Sequence, residues 1–330
     1  MLFAAGLIAL VALALALTAG AASQAADAAT KAKKKPECFG LKATIVGNDK
    51  GQTIQGTDHD DVIYGGGGRD KVFGNGGRDI LCGGSGKDFV RGGNDRDTLI
   101  GGPGDDRLEG DKGQDLVVGD NANPDGNANG KTGRDDTGGA GGDDFMIGDN
   151  YSRGGDATGA SVDDFLAADG NDTIVADNVV IGKGTARGGA DDHAEGAEGK
   201  DLVIGDNYST KGRAIGDGDD VLNGGFKDDF MIGDNYTESG SAEGGGVDDL
   251  HALQENDVLY GDNYAKFDGG TTKGGDSDLL TAGDGNDVMY GGPAGSGRNG
   301  VNQCAGGSGN DRAERSTCSN QNASGIEDYF

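Results

Sequence analysis

The chain has 330 residues, 69 of them glycine, with a formal charge of -29, no tryptophan and 34% hydrophobic residues. Acid at this level excludes nucleic acid and anionic membrane surfaces as partners, and the sparse large side chains exclude a conventional apolar core. Ordering so much glycine is entropically costly, so some other strong interaction must offset it.

Residues 1–26 stand apart. LFAAGLIALVALALALTAGAA is apolar and alanine-rich, and its long run ends near Leu17, short of a comfortable bilayer span. Small residues at Ala19, Ala21, Ala22, Ala25 and Ala26 suit a signal-peptidase cut, so the segment reads as a Sec-type signal peptide, with an uncleaved anchor as the alternative. The reading implies a secreted, extracellular protein with no membrane insertion after cleavage; association with the cell surface stays open. Residues 27–46 follow as a basic linker and N-terminal cap.

From Gly47 to Val118 the sequence repeats every nine residues without a slip. The clearest copies are GGGGRDKVF (65–73), GNGGRDILC (74–82), GGSGKDFVR (83–91), GGNDRDTLI (92–100) and GGPGDDRLE (101–109). The sixth position holds Asp61, Asp70, Asp79, Asp88, Asp97, Asp106 and Asp115, with Gln52 in the opening copy. The eighth holds Ile54, Ile63, Val72, Leu81, Val90, Leu99, Leu108 and Val117. A period this strict names an architecture before any local propensity is weighed. Glycines at positions 1, 2 and 4 let a turn aim its carbonyls inward, and the sixth residue adds a hard anionic oxygen. Such oxygens suit Ca2+, which takes six to eight of them, more than one turn supplies. The last three residues make a short strand whose middle side chain faces in.

The pattern resembles the RTX, or haemolysin-type, calcium-binding repeat, GGxGxDxUx with U aliphatic. The resemblance implies an all-β fold, a parallel β-roll or β-solenoid with calcium-binding Gly/Asp-rich turns. One coil then takes two units, and stacked turns lie eighteen residues apart. It also implies multiple Ca2+ ions held between the stacked pairs Asp61/Asp79, Asp70/Asp88, Asp79/Asp97, Asp88/Asp106 and Asp97/Asp115, together with backbone carbonyls. Gln52 departs from this pattern against Asp70.

After Val118 a longer phrase takes over, QDLVVGDN (114–121), DDFMIGDNY (143–151), NDTIVADN (171–178), KDLVIGDNY (200–208), DDFMIGDNY (228–236) and NDVLYGDNY (256–264). Between copies lies a second acidic element, and the eight- or nine-residue step pairs Asp136 with Asp144, Asp164 with Asp172, Asp192 with Asp201, Asp220 with Asp229, Asp249 with Asp257 and Asp278 with Asp287. These aspartates join the metal set. The remaining step is longer than a coil needs, so 119–290 reads as a continuation of the roll with enlarged loops on one edge. Those loops carry Tyr151, Tyr208, Tyr236 and Tyr264, either as a packing ladder or as a strip for glycan or cell-wall polymer. Asp120, Asp149, Asp206, Asp234 and Asp262 read as further ligands or as Asx turns.

Residues 291–330 hold a last repeat with Asp311 and a C-terminal disulfide cap. Of the three pairings open to four cysteines, Cys38–Cys82 and Cys304–Cys318 are expected from proximity. Tying each terminal rung favours a monomeric rod. There is no HExxH and no GxSxG, and His59, His193 and His251 lie scattered within the repeats, so an enzyme is not expected. The whole reads as a non-catalytic calcium-binding repeat protein. A glycan- or cell-wall-binding adhesin is the alternative, and an extracellular hydrolase a weaker one.

Overall fold

The computed structural model describes residues 35–267, 270–292, 302–314, 318 and 325–330. The expected signal peptide, 1–26, and residues 27–34 of the linker lie outside the described residues, as do 293–301 before the last repeat. Among the described residues every regular element is a strand.

From Ile45 onward the chain winds in coils between two parallel sheets. One sheet runs from Ile45–Asn48 through Val62–Gly67, Ile80–Ser85 and Thr98–Ile100 to Asp311–Ala313 and Ile326–Tyr329; the other runs from Thr53–Gln55 through Lys71–Gly76 and Phe89–Asn94 to Gln303–Ala305. In the nonapeptide segment each coil adds eighteen residues, so Ile63 pairs with Leu81 and Leu81 with Leu99. The eighth-position side chains form the core between the sheets. Val72, Val90 and Leu108 from one side meet Ile63, Leu81, Leu99 and Val117 from the other, all with no exposed surface. One inward residue per nine fills a thin core, which is why the composition carries so little hydrophobic mass.

After Val118 the coil lengthens to 28–30 residues as far as Val288 without losing register, and the next takes 24. Leu116 pairs with Phe145, Phe145 with Thr173 and Thr173 with Leu202. The added residues are not irregular loops. Each contributes two further short strands, such as Asn121–Asn123 and Ala128–Asn129, and these stack into two parallel six-stranded sheets along one edge.

An asparagine ladder holds this lobe to the roll. The side-chain amides of Asn121, Asn150, Asn178, Asn207 and Asn235 each donate 3.0 Å to the side-chain oxygen of the next, ending at Asn263. The second amide hydrogen reaches a carbonyl on the far side of the lobe, as from Asn207 to Gly188 and Ile215. The tyrosines following these asparagines pack among themselves. Tyr208 stacks on Tyr236 at 5.1 Å and Tyr236 on Tyr264 at 5.6 Å, while Tyr151 lies beyond Val179 and meets Phe39. The rings cover the outward Ile147, Val175, Ile204 and Ile232 of the adjoining sheet.

The chain ends are tied as expected. Cys38 bonds Cys82, pinning the hairpin of Glu37–Cys38 and Leu41–Lys42 onto the first coils, and Cys304 bonds Cys318 on the last.

Candidate metal centre

The turn of 83–91 shows how the site is built. Gly84 and Gly86 have φ of 111° and 141°, where a side chain is strained. A Cβ on Gly86 would fall 1.8 Å from the Gly68 carbonyl oxygen, one coil back. Only glycine lets the turns stack this closely. Asp88 then spends its oxygens differently. Its Oδ1 accepts the Asp70 backbone N–H at 2.7 Å, joining two coils. Its Oδ2 is buried without a hydrogen-bond partner. That oxygen lies 2.8 Å from the point a Gly83 Cβ would occupy, and the Gly101 carbonyl of the next coil lies 2.8 Å from the same point.

Two acceptors therefore converge on a space with no donor. A buried acceptor left so carries a desolvation penalty, and the repetition of the arrangement rules out a local accident. The donor set is carboxylate plus backbone carbonyl from adjacent coils, all hard oxygen, which is the chemistry of Ca2+. Among the described residues no three His, Cys, Asp or Glu side chains gather at one metal point. An ion here must draw on carbonyls as well as aspartates.

The same anchor repeats on both edges. Along one, Asp61, Asp79, Asp97, Asp115, Asp144, Asp172, Asp201, Asp229, Asp257, Asp287 and Asp311 follow in order, the amide of each bonded to the Oδ1 of the next. Along the other run Asp70, Asp88, Asp106, Asp135, Asp163, Asp192, Asp220, Asp248 and Asp278. The rows thus bring together seventeen of the twenty aspartates read from the sequence as ligands.

Three positions need correction: Asp136, Asp164 and Asp249 lie outside the row. Strand pairing sets Asp136 opposite Arg107, Asp164 opposite Asp136, and Asp249 opposite Val221, so each is the seventh residue of its unit and faces out. Their side chains are 64%, 41% and 42% exposed; Asp136 and Asp164 pair with Arg107 and Arg134, and Asp249 lies 2.8 Å from His251 Nε2. The inward places belong to their neighbours Asp135, Asp163 and Asp248, each at most 1% exposed. The row aspartate stands two residues before the inward side chain, here Thr137, Phe165 and Leu250.

The ends of the rows differ. Gln52 takes the first sixth position, and its amide donates 3.0 Å to the Gly65 carbonyl. Asp61 has its Oδ2 occupied by the Thr57 N–H and hydroxyl at 2.8 and 2.9 Å. At the far end Asn302 accepts the Asp278 N–H at 2.8 Å and donates to the Gly291 carbonyl. Three of the four row ends thus carry a donor of their own, while Asp311 keeps an unpaired Oδ2.

Burial sets the electrostatics. It pushes the carboxyls of Asp79, Asp88 and Asp115 up to about 6, Asp97 and Asp144 to about 7, and Asp106 and Asp229 to about 8. Backbone N–H donors pull each one back and neighbouring aspartates add to the rise. Without a cation these turns resist ionisation.

A family model for the RTX calcium-binding nonapeptide repeat (4 copies) matches residues 46–81, 55–90, 82–117, 215–235, 244–263 and 274–293. No curated protein matches the chain. The matches fall on the regular coils and on acidic turns of the enlarged ones, where the aspartates and glycines stack as described. Over the matched residues the chain carries RTX calcium-binding nonapeptide repeats, and the described residues from Ile45 onward wind as a parallel β-roll.

Proposed function

We propose that this is a secreted, non-catalytic protein whose roll forms when Ca2+ fills the stacked turns, in a structural or cell-surface role. One observation carries the reading: along both edges the inward carboxylate oxygens are buried, unpaired and turned toward backbone carbonyls. Each residue type has its part. The glycines bring carbonyls of successive coils together, and each aspartate locks its coil to the previous one through Oδ1 while offering Oδ2. Bound Ca2+ supplies the positive charge that lets these carboxylates ionise inside the protein. In the ion-free chain, a formal charge of -29 opposes compaction.

The histidines support a non-catalytic role. His193 faces Asp164 and Glu195, and His251 faces Asp249, all on the outward face of a sheet. The adhesin alternative rests on a groove of about 600 Å³ lined by Leu116, Phe145, Tyr151, Leu202 and Tyr208. Mutual stacking of the rings favours packing over display. Small-angle scattering tests the main reading: adding Ca2+ to calcium-free protein should contract an expanded chain into a compact body. Identical scattering with and without Ca2+ would refute it.

A further inference from the structure

The enlarged coils contain a second line of buried aspartates. Where the regular turn has glycine at its second position, as at Gly102, these coils have Asp120, Asp149, Asp177, Asp206, Asp234 and Asp262, each at most 1% exposed. The chain leaves the roll at this residue and returns through Asp135, Asp163, Asp192, Asp220, Asp248 and Asp278. The two lines run side by side through the neck of the lobe. Their registers are fixed by backbone: the Asp120, Asp149 and Asp177 amides bond the carbonyls of Asp149, Asp177 and Asp206 at 3.0–3.1 Å.

Closing the neck uses only part of each carboxylate. Asp120, Asp206, Asp234 and Asp262 each accept one backbone N–H from the returning chain, from Gly133, Gly218, Gly246 and Asp276. Asp149 accepts the Ser161 hydroxyl. No donor reaches one oxygen of Asp120, Asp149 and Asp234 or either oxygen of fully buried Asp177, and the carboxyls of Asp120, Asp149, Asp177 and Asp206 lie against one another along the line. Among the described residues no basic side chain is buried, and those with ion pairs, such as Arg134 and Lys200, are at the surface.

We propose that in the enlarged coils the divalent cations of this edge, Ca2+ above all, sit in the neck, each held between one exit aspartate and one return aspartate of its coil. This rests on the reading that the roll binds Ca2+, and it adds ligands that the nonapeptide motif lacks. A regular turn offers one carboxylate per coil on this edge; the neck offers two. One divalent ion per coil is then balanced by its own coil, so the neck row accumulates no net charge along its length. Two carboxylates alone do not complete a Ca2+ shell, so backbone carbonyls fill the remainder. Without an ion the same groups repel: burial and the nearby Asp135 and Asp149 raise Asp120 to about 10, and burial raises Asp135 to about 9.

The test counts bound Ca2+ by isothermal titration and equilibrium dialysis on the full chain, with Mg2+ as control. Asp177→Asn removes a carboxylate facing two intervals, and Asp120→Asn removes one at the end of the row while an amide oxygen still accepts the Gly133 N–H. Each variant should stay β-folded in saturating Ca2+ and bind fewer ions per chain than the parent. Equal ion number and affinity in both variants would overturn the proposal and leave these aspartates as neck closures. Should Asp177→Asn fail to fold, Asp120→Asn decides. A parent chain that binds no Ca2+ would instead refute the calcium reading itself.

Discussion

The side-chain amide of Gln52 donates 3.0 Å to the Gly65 carbonyl, in the place where later coils hold an unpaired aspartate oxygen. Gln52 Nε2 lies 2.3 Å from the would-be Cβ of Gly47, and Asp79 Oδ2 lies 2.3 Å from that of Gly74. The amide fills with its own N–H what the other turns leave for a cation. Gln52→Asp should therefore convert the first turn into one more ion site. Ca2+ titration should show a gain in bound ions, with the calcium-free protein less stable than the parent. Unchanged stoichiometry would mean that the terminal rung cannot complete a site.

The close stacking predicts a contrast between glycines. Gly86→Ala places a Cβ 1.8 Å from the Gly68 oxygen at a φ of 141°, and should cost at least about 2 kcal/mol in Ca2+-saturated thermal or denaturant unfolding. At Gly76 the nearest atom to a new Cβ is 3.9 Å away, so Gly76→Ala should be close to neutral. Equal effects at the two positions would contradict the geometry.

The asparagine ladder offers a separate handle on the enlarged coils. Asn207 donates to Asn235, Gly188 and Ile215 and accepts from Asn178, fully buried. Asn207→Ala leaves several of these groups without partners and should destabilise the Ca2+-bound protein by about 1–3 kcal/mol. Because the nonapeptide coils 47–118 are untouched, hydrogen exchange should quicken in the lobe strands while those coils stay protected.

Much of this was legible in the sequence because the nine-residue phase fixes coil, core and ligand together. Leu81, Val90 and Leu99 named the core, and Asp79, Asp88 and Asp97 the row. Legibility fell where two aspartates adjoin. In Asp163-Asp164-Phe165-Leu166 either acid precedes an apolar residue by two, and only strand register shows that Phe165 is the inward one. Thr137 hid the same choice at Asp135, since its hydroxyl obscures an otherwise aliphatic position. The lobe strands were read as loops because strands two or three residues long show no alternation. Their order comes from pairing with the next coil and from the Asn150–Asn178–Asn207 ladder.

Stability should depend on pH in opposite senses with and without Ca2+. Burial raises Asp88, Asp97 and Asp106 to about 6, 7 and 8, above the ordinary 3.8. A carboxyl raised on folding binds its proton more tightly in the folded state. Its contribution is therefore complete below about pH 4 and lost as pH rises through the folded values. The calcium-free roll should be most stable in mild acid and melt at lower temperature as pH climbs from about 6 to 8. Ca2+ needs the ionised form, so its affinity should rise across the same window, with protons released on binding. Thermal unfolding and proton-release titrations at several pH values check both signs.

The most direct test is far-UV circular dichroism of the chain without residues 1–26, titrated with Ca2+ from calcium-free protein at neutral pH, with Mg2+ as control. Filling of the stacked turns predicts a Ca2+-specific, cooperative gain of β signal at micromolar to millimolar concentration, saturating with several ions bound per chain. A full β spectrum in calcium-free protein, unchanged by Ca2+, would contradict the account: the unpaired aspartate oxygens would then be neutralised by protons, and the roll held by its core and two disulfides alone.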